Sequence, residues 1–316
     1  MRVYSIPMSA RFRGITVREG ALVEGAAGWG EWSPFVEYPP EEAELWLRCA
    51  EEAAAGDWPG AVRSSIPVNA TVPVVSAAAA HALVLRSGCR TAKVKVADPG
   101  STAADDLARV EAVRDALGPS GRIRVDANGC WSVDEAVAAI AELERAAGGL
   151  EYVEQPCASV EELAVVRRRV AVPIAADESI RRVADPYRVR DLEAADIAVL
   201  KVQPLGGVRA CLRIAEDIAM PVVVSSALET SLGLAAGVAL AAALPVLDHA
   251  CGLATRSLLT GDVATPAAVP VNGMLPVALP TVQPELMASV AAPPDRQAWW
   301  EARLAAVLAV RKARRP

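Results

Sequence analysis

The chain has 316 residues, 53% of them hydrophobic and 22% charged, so it is long and apolar enough to build a large core and is not a disordered protein. A formal net charge of −6 and a pI near 5.2 argue against nucleic acid or an anionic membrane surface as a partner. The first residues contain no apolar stretch of signal-peptide length and the six cysteines occur singly, so we expect a cytoplasmic protein with reduced thiols.

The first 65 residues predict a small α+β domain. Two strand-like runs, TVREGALVEG and GWGEWSPF, are followed by a helix-like run, PPEEAELWLRCAEEAAAG. We expect this domain, residues 1–65, to pack against the larger unit that follows it.

Between residues 66 and 262, short β-branched runs alternate with longer helix-like runs rich in Ala, Leu, Arg and Glu. The eight strand-like runs are ATVPVV, TAKVKVA, RIRVDA, EYVEQ, VPIAAD, IAVLKV, PVVVSS and VLDHACGL. Eight strands that alternate with helices predict a parallel sheet closed into an α/β barrel. An open, doubly wound sheet is the alternative, but no phosphate-binding glycine motif follows the first strand.

Several helix boundaries are also indicated. In TAADDLARVEAVRDAL and VDEAVAAIAELERAA, apolar residues recur at three-to-four spacing; Asp98 and Ser132 are predicted starts, and Gly118 and Gly148 predicted ends. The apolar stretch 232–247 is shorter than a membrane span and predicts a buried helix and strand.

Residues 263–316 form the last predicted unit. A proline-rich stretch, 264–284, precedes the helix-like run DRQAWWEARLAAVLAV. We expect this segment to return to the N-terminal domain and to complete it.

Lysine is rare in this chain. Of the 32 Lys plus Arg residues only four are Lys, which leaves 28 Arg. Three of the four, Lys93, Lys95 and Lys201, lie in strand-like runs, where unpaired charge is disfavoured. A partly buried lysine can give up its proton, whereas arginine cannot near neutral pH. Proton transfer is therefore the leading interpretation, and a strand-edge position or a pair with a buried carboxylate is the structural alternative.

Acidic side chains end three consecutive predicted strands: Asp126 in RVDAN, Glu154 in VEQP and Asp177 in AADES. With Lys95 before them and Lys201 after them, the intervals are 31, 28, 23 and 24 residues, each about one strand–helix unit. Because the carboxyl ends of barrel strands share one rim, we expect these five groups to converge there.

Three unscreened carboxylates on one rim would repel one another, and a divalent cation removes that repulsion. All-oxygen ligation without Cys or His favours Mg²⁺, and Mn²⁺ is possible. Asn128 and Glu178 lie close in sequence to two of the carboxylates and are expected beside the ligands. A cation that binds a substrate carboxylate between two lysines makes a site for proton abstraction from the adjacent carbon. Each carboxylate could instead cap a helix or pair with an arginine.

The motifs KVK, DANG, EQP, DES and LKVQPLGG, in this order, resemble the enolase superfamily and its muconate-cycloisomerase-like subgroup. The resemblance covers essentially the whole chain. It implies a modified TIM barrel, (β/α)₇β, with an α+β capping domain built from the N-terminal region and the C-terminal tail. It also implies that Asp126, Glu154 and Asp177 bind the metal and that Lys95 and Lys201 form the acid–base pair.

The end of the seventh strand, VVVSSALETSLGL, is similar to that of the o-succinylbenzoate synthases. The likeness implies a small carboxylate substrate, 2-succinyl-6-hydroxy-2,4-cyclohexadiene-1-carboxylate, dehydrated to o-succinylbenzoate in menaquinone biosynthesis. It implies that Ser225 and Ser226 bind the succinyl carboxylate. Lys93 and Arg124, each two residues before a site candidate on the same strand face, are further substrate-binding candidates. Arg124 is equally compatible with packing inside the barrel.

Residues 10–16 stand where the subgroup has a substrate-covering loop and are few, so the resemblance implies an incompletely closed pocket.

Three other functions remain open. An N-acylamino acid racemase or dipeptide epimerase of the same superfamily would use both lysines, one on each face of its substrate. A non-catalytic barrel would keep the fold without the chemistry. A phosphate-binding barrel would use the glycines of Leu205–Gly207, which more simply make a tight turn into the next helix. The sequence predicts no nucleic-acid or membrane partner and indicates no oligomeric state.

Overall fold

The N-terminal region contains three strands and one helix: β1 (Arg2–Phe12), β2 (Ile15–Gly25), β3 (Gly28–Trp32) and α1 (Pro40–Ala55). The strands pair antiparallel in the order β1-β2-β3. α1 begins with proline, where no backbone donor is needed, and ends at Gly56 in the left-handed conformation. The computed structural model describes residues 1–182 and 185–314.

The central sheet has seven parallel strands: β5 (Ala70–Val72), β6 (Thr91–Lys95), β7 (Arg122–Asp126), β8 (Tyr152–Glu154), β9 (Ile174–Ala176), β10 (Ile197–Lys201) and β11 (Val222–Ser225). The gap between β5 and β11 is filled by residues 251–252. Cys251 bridges Val68 and Gly252 bridges Ser225, both in parallel. These two bridges close the sheet into a barrel with eight strand positions, called staves below, one for each predicted strand.

Seven helices connect successive staves: α2 (Ala77–Ser87), α3 (Ala103–Leu117), α4 (Val133–Ala147), α5 (Val160–Arg167), α6 (Asp185–Asp191), α7 (Val208–Ile218) and α8 (Ser231–Ala243). The predicted (β/α)₇β architecture is therefore confirmed. In the described part of the chain, no helix is both long enough and apolar enough to cross a membrane.

The ends of these helices follow their local sequence. α4 begins after Ser132, whose hydroxyl accepts from the Glu135 amide in a capping box, and it ends at Gly148, as predicted. α3 ends at Gly118 as predicted, but its predicted start at Asp98 is wrong. The helix begins after Thr102 instead, because Thr102 and Asp105 complete a capping box three residues apart.

The C-terminal segment contains β12 (Ala264–Thr265), β13 (Met274–Pro276), β14 (Thr281–Val282), α9 (Pro284–Ser289) and α10 (Pro294–Ala313). β13 pairs with β4 (Ser65–Pro67), next to the barrel. α10 packs on the N-terminal region: Trp300 stacks edge-on against Trp32 at 5.3 Å between ring centroids, and Arg303 donates to the Phe35 carbonyl. The last two residues of the predicted segment 263–316 lie outside the described residues.

Two of the buried clusters in the core bear on the position of the barrel and the N-terminal region. The larger one combines the barrel strands with the inward faces of their helices. The second one combines the N-terminal sheet, α1 and α10 with Leu258 and with Ala227 and Leu228, which follow β11. The N-terminal region therefore shares a core with one particular loop at the carboxyl end of the barrel.

Candidate active site

A cavity of about 670 Å³ opens at the carboxyl ends of the barrel strands. Its barrel side includes the predicted residues Lys93, Lys95, Asp126, Asn128, Asp177, Glu178, Lys201, Ser225 and Ser226. Its other side comes from the N-terminal region and includes Phe12, Phe35, Tyr38 and Trp46. The structure thus brings together nine of the eleven predicted site residues in one cavity.

Each predicted catalytic lysine contacts a carboxylate on the neighbouring strand. Lys95 Nζ lies 2.5 Å from Asp126 Oδ2, and Lys201 Nζ lies 2.5 Å from Asp177 Oδ2. Lys95 and Asp126 are direct partners in the register of β6 and β7. Both lysine side chains are only 14% exposed, so the charges meet in a largely desolvated setting where their interaction is strong.

Glu154 does not line the cavity, but it contacts Lys93, which does. It is fully buried, and Lys93 Nζ lies 2.6 Å from Glu154 Oε1 and 3.5 Å from Asp126 Oδ2. Burial alone would lower the pKa of Lys93, but these two carboxylates raise it well above its usual value. These contacts favour the charged form of Lys93, which lies between two predicted metal ligands.

Burial and nearby cations together shift the pKa values of Asp126 and Lys201. Burial would raise the pKa of Asp126, but Lys95 and Lys93 lower it to about 2. Burial lowers the pKa of Lys201, and the nearby Arg181 guanidinium acts in the same direction against the Asp177 carboxylate.

Asn128 links the ends of two strands. Its side-chain oxygen accepts from Lys95 Nζ at 2.7 Å, and its amide nitrogen donates to Glu178 Oε1 at 3.2 Å. Its backbone has φ of +49°, a left-handed conformation that asparagine tolerates better than most residues. Glu178 also pairs with Arg181 at 2.5 Å. Asn128 therefore joins Lys95 to Glu178, the residue that follows Asp177.

Gln155 holds the end of β9 in place and was not predicted. Its side-chain oxygen accepts from the Asp177 and Ser179 amides at 3.0 and 3.2 Å, and its nitrogen donates to the Cys157 carbonyl. The only signal in the sequence is its position directly after Glu154.

Several hydroxyl groups lie near the end of β11, where residues 251–252 close the barrel. Ser225 ends β11 and Ser226 follows it, and Ser226 Oγ lies 2.6 Å from Oγ1 of Thr255, a cavity residue that was not predicted. Gly252 packs so closely that an added Cβ would lie 2.5 Å from Ser225 Oγ. The cavity therefore has a polar, uncharged end beside its charged one.

The short segment 10–16 reaches the cavity. It contains the end of β1, the turn and the start of β2, and Arg11, Phe12, Arg13 and Gly14 all line the cavity. Lys95 Nζ lies 5.2 Å from the centroid of the Phe12 ring. An aromatic ring from the N-terminal region therefore covers the predicted catalytic lysine.

The prediction that Arg124 binds substrate is wrong. Arg124 is completely buried and does not line the cavity. Its Nε donates to Glu151 at 2.5 Å, and its Nη1 donates to Asn69 and to the Ala250 carbonyl. Since these three partners each precede a stave, the guanidinium points to the amino end of the barrel, away from the cavity.

The glycines of Leu205–Gly207 do not leave room for phosphate. Glu52 of α1 accepts from the Val208 amide at 2.6 Å and from the Arg209 amide at 3.1 Å, so a carboxylate occupies the N-terminus of α7. Gly207 has φ of +118°, and an added Cβ would lie 2.3 Å from a Glu52 oxygen. The glycine motif therefore serves the contact with α1.

The acidic residues fit a hard divalent cation in donor type. Asp126, Glu154 and Asp177 offer oxygen ligands, and Asp177 Oδ1 is buried without a hydrogen-bond partner in the described structure. In residues 1–182 and 185–314, no three acidic, His or Cys side chains lie close enough together to enclose a metal ion as they stand. In this arrangement the three carboxylates are engaged by the ammonium groups of Lys93, Lys95 and Lys201.

Two family models match the chain. The model described as enolase C-terminal domain-like matches residues 75–283, and the one described as enolase N-terminal domain-like matches residues 3–54. The first covers more than half of the chain.

Several known proteins are similar over nearly the full length. The o-succinylbenzoate synthase of Thermobifida fusca (strain YX) is 63% identical, over 98% of this chain and 96% of that one. The o-succinylbenzoate synthase of Mycolicibacterium smegmatis is 57% identical, over 97% of this chain and 94% of that one. That of Mycobacterium tuberculosis (strain H37Rv) is 58% identical, over 94% and 90%.

Solved structures share the fold at lower identity. The muconate lactonizing enzyme of Pseudomonas fluorescens superposes with a TM-score of 0.79 at 22% identity, covering 92% of this chain and 97% of that one. The L-Ala-D/L-Glu epimerase of Bacillus subtilis gives 0.75 at 23% identity, covering 89% and 95%. At this identity the likeness concerns the fold alone.

Proposed function

The chain belongs to the enolase superfamily, and from that premise we propose that it catalyses the o-succinylbenzoate synthase reaction. It would dehydrate 2-succinyl-6-hydroxy-2,4-cyclohexadiene-1-carboxylate to o-succinylbenzoate in menaquinone biosynthesis. The observation that carries the proposal is identity of 57–63% to synthases of this name over 97–98% of the chain. The cavity adds the chemistry, since two lysines and their carboxylate partners line it together.

Lys95 is the proposed base. Its Nζ takes the proton from the ring carbon that bears the carboxylate, and the freed electron pair forms the new ring double bond as hydroxide leaves the neighbouring carbon. The protonated Lys95 then gives that proton to the hydroxide on the same face. One water is released and the ring becomes aromatic, so atoms and charge balance.

Lys201 is proposed to act from the other side of the substrate. There its ammonium group would stabilise the electron density of the ring as the proton leaves. Lys93 would contribute a fixed positive charge, because its carboxylate contacts keep it protonated.

Asp126, Glu154 and Asp177 are the proposed ligands of Mg²⁺, with Mn²⁺ as a substitute, and the ion would offset the negative charge that develops on the substrate carboxylate. Asn128 and Glu178 would orient the Lys95 side of this group through the hydrogen bonds described above.

The hydroxyl end of the cavity is the proposed site of the succinyl carboxylate. Ser225 and Ser226 were predicted for this role, and we add Thr255, whose hydroxyl is already paired with Ser226 at 2.6 Å. Neutral donors suit a carboxylate that must bind without titrating a neighbouring group.

We also propose the division of the chain into a capping domain, residues 1–65 and 263–316, and a barrel, residues 66–262. The packing of Trp300 on Trp32 and the hydrogen bonds of Arg303 support it, because they join the two ends of the chain.

The test is dehydration of the cyclohexadiene substrate followed by ultraviolet absorbance, with purified protein in Mg²⁺ and then in excess EDTA. We expect rapid conversion that stops when the metal is removed and returns when it is restored. No conversion by folded, Mg²⁺-loaded protein contradicts the proposal. In that case solvent-deuterium exchange into N-acylamino acids would support the racemase alternative.

A further inference from the structure

Arg18 is a buried arginine that joins the N-terminal sheet to the loop after β11. It is 2% exposed, and it donates from Nε to the Leu228 carbonyl at 3.0 Å and from Nη2 to the Ala227 carbonyl at 3.1 Å. Ala227 and Leu228 line the cavity, whereas Arg18 does not. Arg18 therefore touches the back of a cavity wall.

Glu31 fixes the other end of the same loop. It is also 2% exposed, and Oε2 accepts from the Thr230 and Gly233 amides, each at 3.1 Å. It also accepts from the Thr230 hydroxyl. These amides are the free donors at the start of α8, so Glu31 caps that helix from a distant part of the chain. An added Cβ on Gly233 would lie 2.8 Å from the Glu31 carboxylate, so glycine is needed there.

Ser33 connects the two charged residues. Arg18 Nη2 donates to Ser33 Oγ at 2.9 Å, and Ser33 Oγ donates to Glu31 Oε1 at 2.8 Å. The three residues thus form one hydrogen-bonded unit on the N-terminal sheet. The unit holds the loop at both ends, at the 227–228 carbonyls and at the start of α8.

Adhesion alone does not explain this arrangement. Burying an arginine and a glutamate is costly, and apolar side chains of similar size would hold two layers together as well or better. What charged groups add is direction, since each bond fixes a main-chain atom. Leu228 needs such fixing because its φ is +63°, a left-handed conformation that is uncommon for leucine.

We propose that Arg18 and Glu31 are positioning residues for substrate binding: they hold residues 225–230 in the shape that presents Ser225 and Ser226 to the substrate, without touching the substrate themselves. The inference rests on the proposed function, because it assigns this loop to the carboxylate remote from the reacting carbon. Loss of either residue should therefore weaken binding much more than it slows the chemical step.

The kinetic test compares Arg18→Met and Glu31→Ala with wild type in Mg²⁺. We expect KM to rise about tenfold or more while kcat changes by less than about threefold, the loss of charge-assisted hydrogen bonds being felt in binding. A merely structural role would leave fewer competent molecules, which lowers apparent kcat at unchanged KM. Arg18→Lys keeps the buried charge and gives a second variant if Arg18→Met does not fold. Glu31→Gln, which keeps an acceptor, should restore part of the lost affinity.

The matched control is Arg114→Met. Arg114 also donates to several main-chain carbonyls, those of Ala147, Gly118 and Gly121, but at the amino end of the barrel. We expect it to lower thermal stability and to leave KM unchanged. An equal rise in KM for Arg114→Met, or no rise for both Arg18 variants, overturns the inference.

A second readout does not need the reaction. Hydrogen–deuterium exchange of the peptide spanning 226–233 should accelerate in Arg18→Met and Glu31→Ala but not in Arg114→Met. If wild type does not convert the cyclohexadiene substrate, the proposed function fails, and the exchange data still decide whether Arg18 and Glu31 hold the loop. Unchanged exchange in this peptide overturns the inference.

Discussion

Lys93 and Arg124 are direct partners in the register of β6 and β7, yet their side chains reach opposite ends of the barrel. Lys93 extends to Glu154 at the carboxyl end, and Arg124 extends to Glu151 at the amino end. Two cations that begin side by side therefore serve different purposes, one in the cavity and one in the packed interior.

This geometry predicts that Arg124→Met destabilises the protein without changing substrate binding. Glu151 would lose its closest buried partner, and breaking a buried ion pair costs about 3–5 kcal/mol. Urea unfolding and KM should be measured together. Arg122→Met is the control, because Arg122 contacts the same Glu151 from a 59% exposed position and should cost less than about 1 kcal/mol. A large rise in KM for Arg124→Met would restore the substrate-binding role.

Lys95→Ala should lower kcat by about 10²–10⁴-fold or more, since it removes the proposed base. Lys201→Ala should also slow turnover but should still allow the α-proton to exchange with solvent, because Lys201 is not the group that removes it. Nuclear magnetic resonance of the substrate in deuterated water checks this difference. Lys312→Ala, on the exposed end of α10, should have no effect. Exchange lost in Lys201→Ala but retained in Lys95→Ala would reverse the assignment.

Asp177→Asn should weaken Mg²⁺ binding roughly tenfold or more, because it removes one charged ligand from an oxygen site. Binding can be measured by calorimetry, with Mn²⁺ and electron paramagnetic resonance as an independent readout. Asp115→Asn changes an exposed surface carboxylate and serves as the control. Equal metal affinity in Asp177→Asn and wild type would remove Asp177 from the ligand set.

Thr255→Val should raise KM by about two- to tenfold, because the loss of one hydrogen bond weakens binding by about that factor. The value of kcat should stay close to that of wild type. Valine keeps the shape of threonine, so the change isolates the hydroxyl. Ser226→Ala should behave alike because the two hydroxyls are paired. Ser257→Ala alters a neighbouring hydroxyl that bonds the Ala254 carbonyl and does not line the cavity, so its KM should not change.

Glu229 should make the protein less stable as pH rises. Burial and then the Glu31 carboxylate raise the pKa of Glu229 from 4.5 to about 7. Below pH 4.5 the carboxyl is protonated in both the folded and the unfolded state, so it carries no penalty. As pH rises through 4.5 to 7 only the unfolded state ionises freely, and stability falls by about 3 kcal/mol.

The comparison is urea unfolding of wild type and Glu229→Gln at pH 4.5 and pH 8. Between pH 4.5 and pH 8, we expect the free energy of unfolding of the variant to rise relative to that of wild type by up to about 3 kcal/mol. The exposed Glu285→Gln is the control and should show no such change. A difference that does not depend on pH would contradict the raised pKa of Glu229.

The barrel and its rim could be predicted because both depend on local, repeated patterns. Each strand-like run is a short β-branched segment. Asp126, Glu154 and Asp177 stand at the ends of three successive runs, spaced by about the length of one strand–helix unit. Chain topology alone then brings them to one edge.

Arg124 shows the limit of such reasoning. A two-residue period correctly places it on the same strand face as Asp126, but the face does not say toward which end a long side chain extends. That direction is decided by Glu151 and Asn69, which precede other strands.

The residues that were missed act across long stretches of chain. Gln155 bonds the Asp177 amide 22 residues away, Thr255 meets Ser226 at 29 residues, and Arg18 meets Leu228 at 210 residues. No periodicity encodes these contacts. β1 also went unpredicted, since Pro7 interrupts its strand pattern and removes a backbone donor.

The scarcity of lysine has a chemical consequence. Lys93, Lys95 and Lys201 line the cavity, and Lys312 lies exposed near the end of α10. Since arginine does not react with amine-directed reagents, the outer surface of this protein offers them little besides Lys312 and the terminal amine. A small aldehyde that fits the cavity forms an imine with a lysine amine, and a hydride reductant converts that imine into a stable amine that intact mass can count. Protection by substrate or metal then reports occupancy of the site without any measurement of turnover.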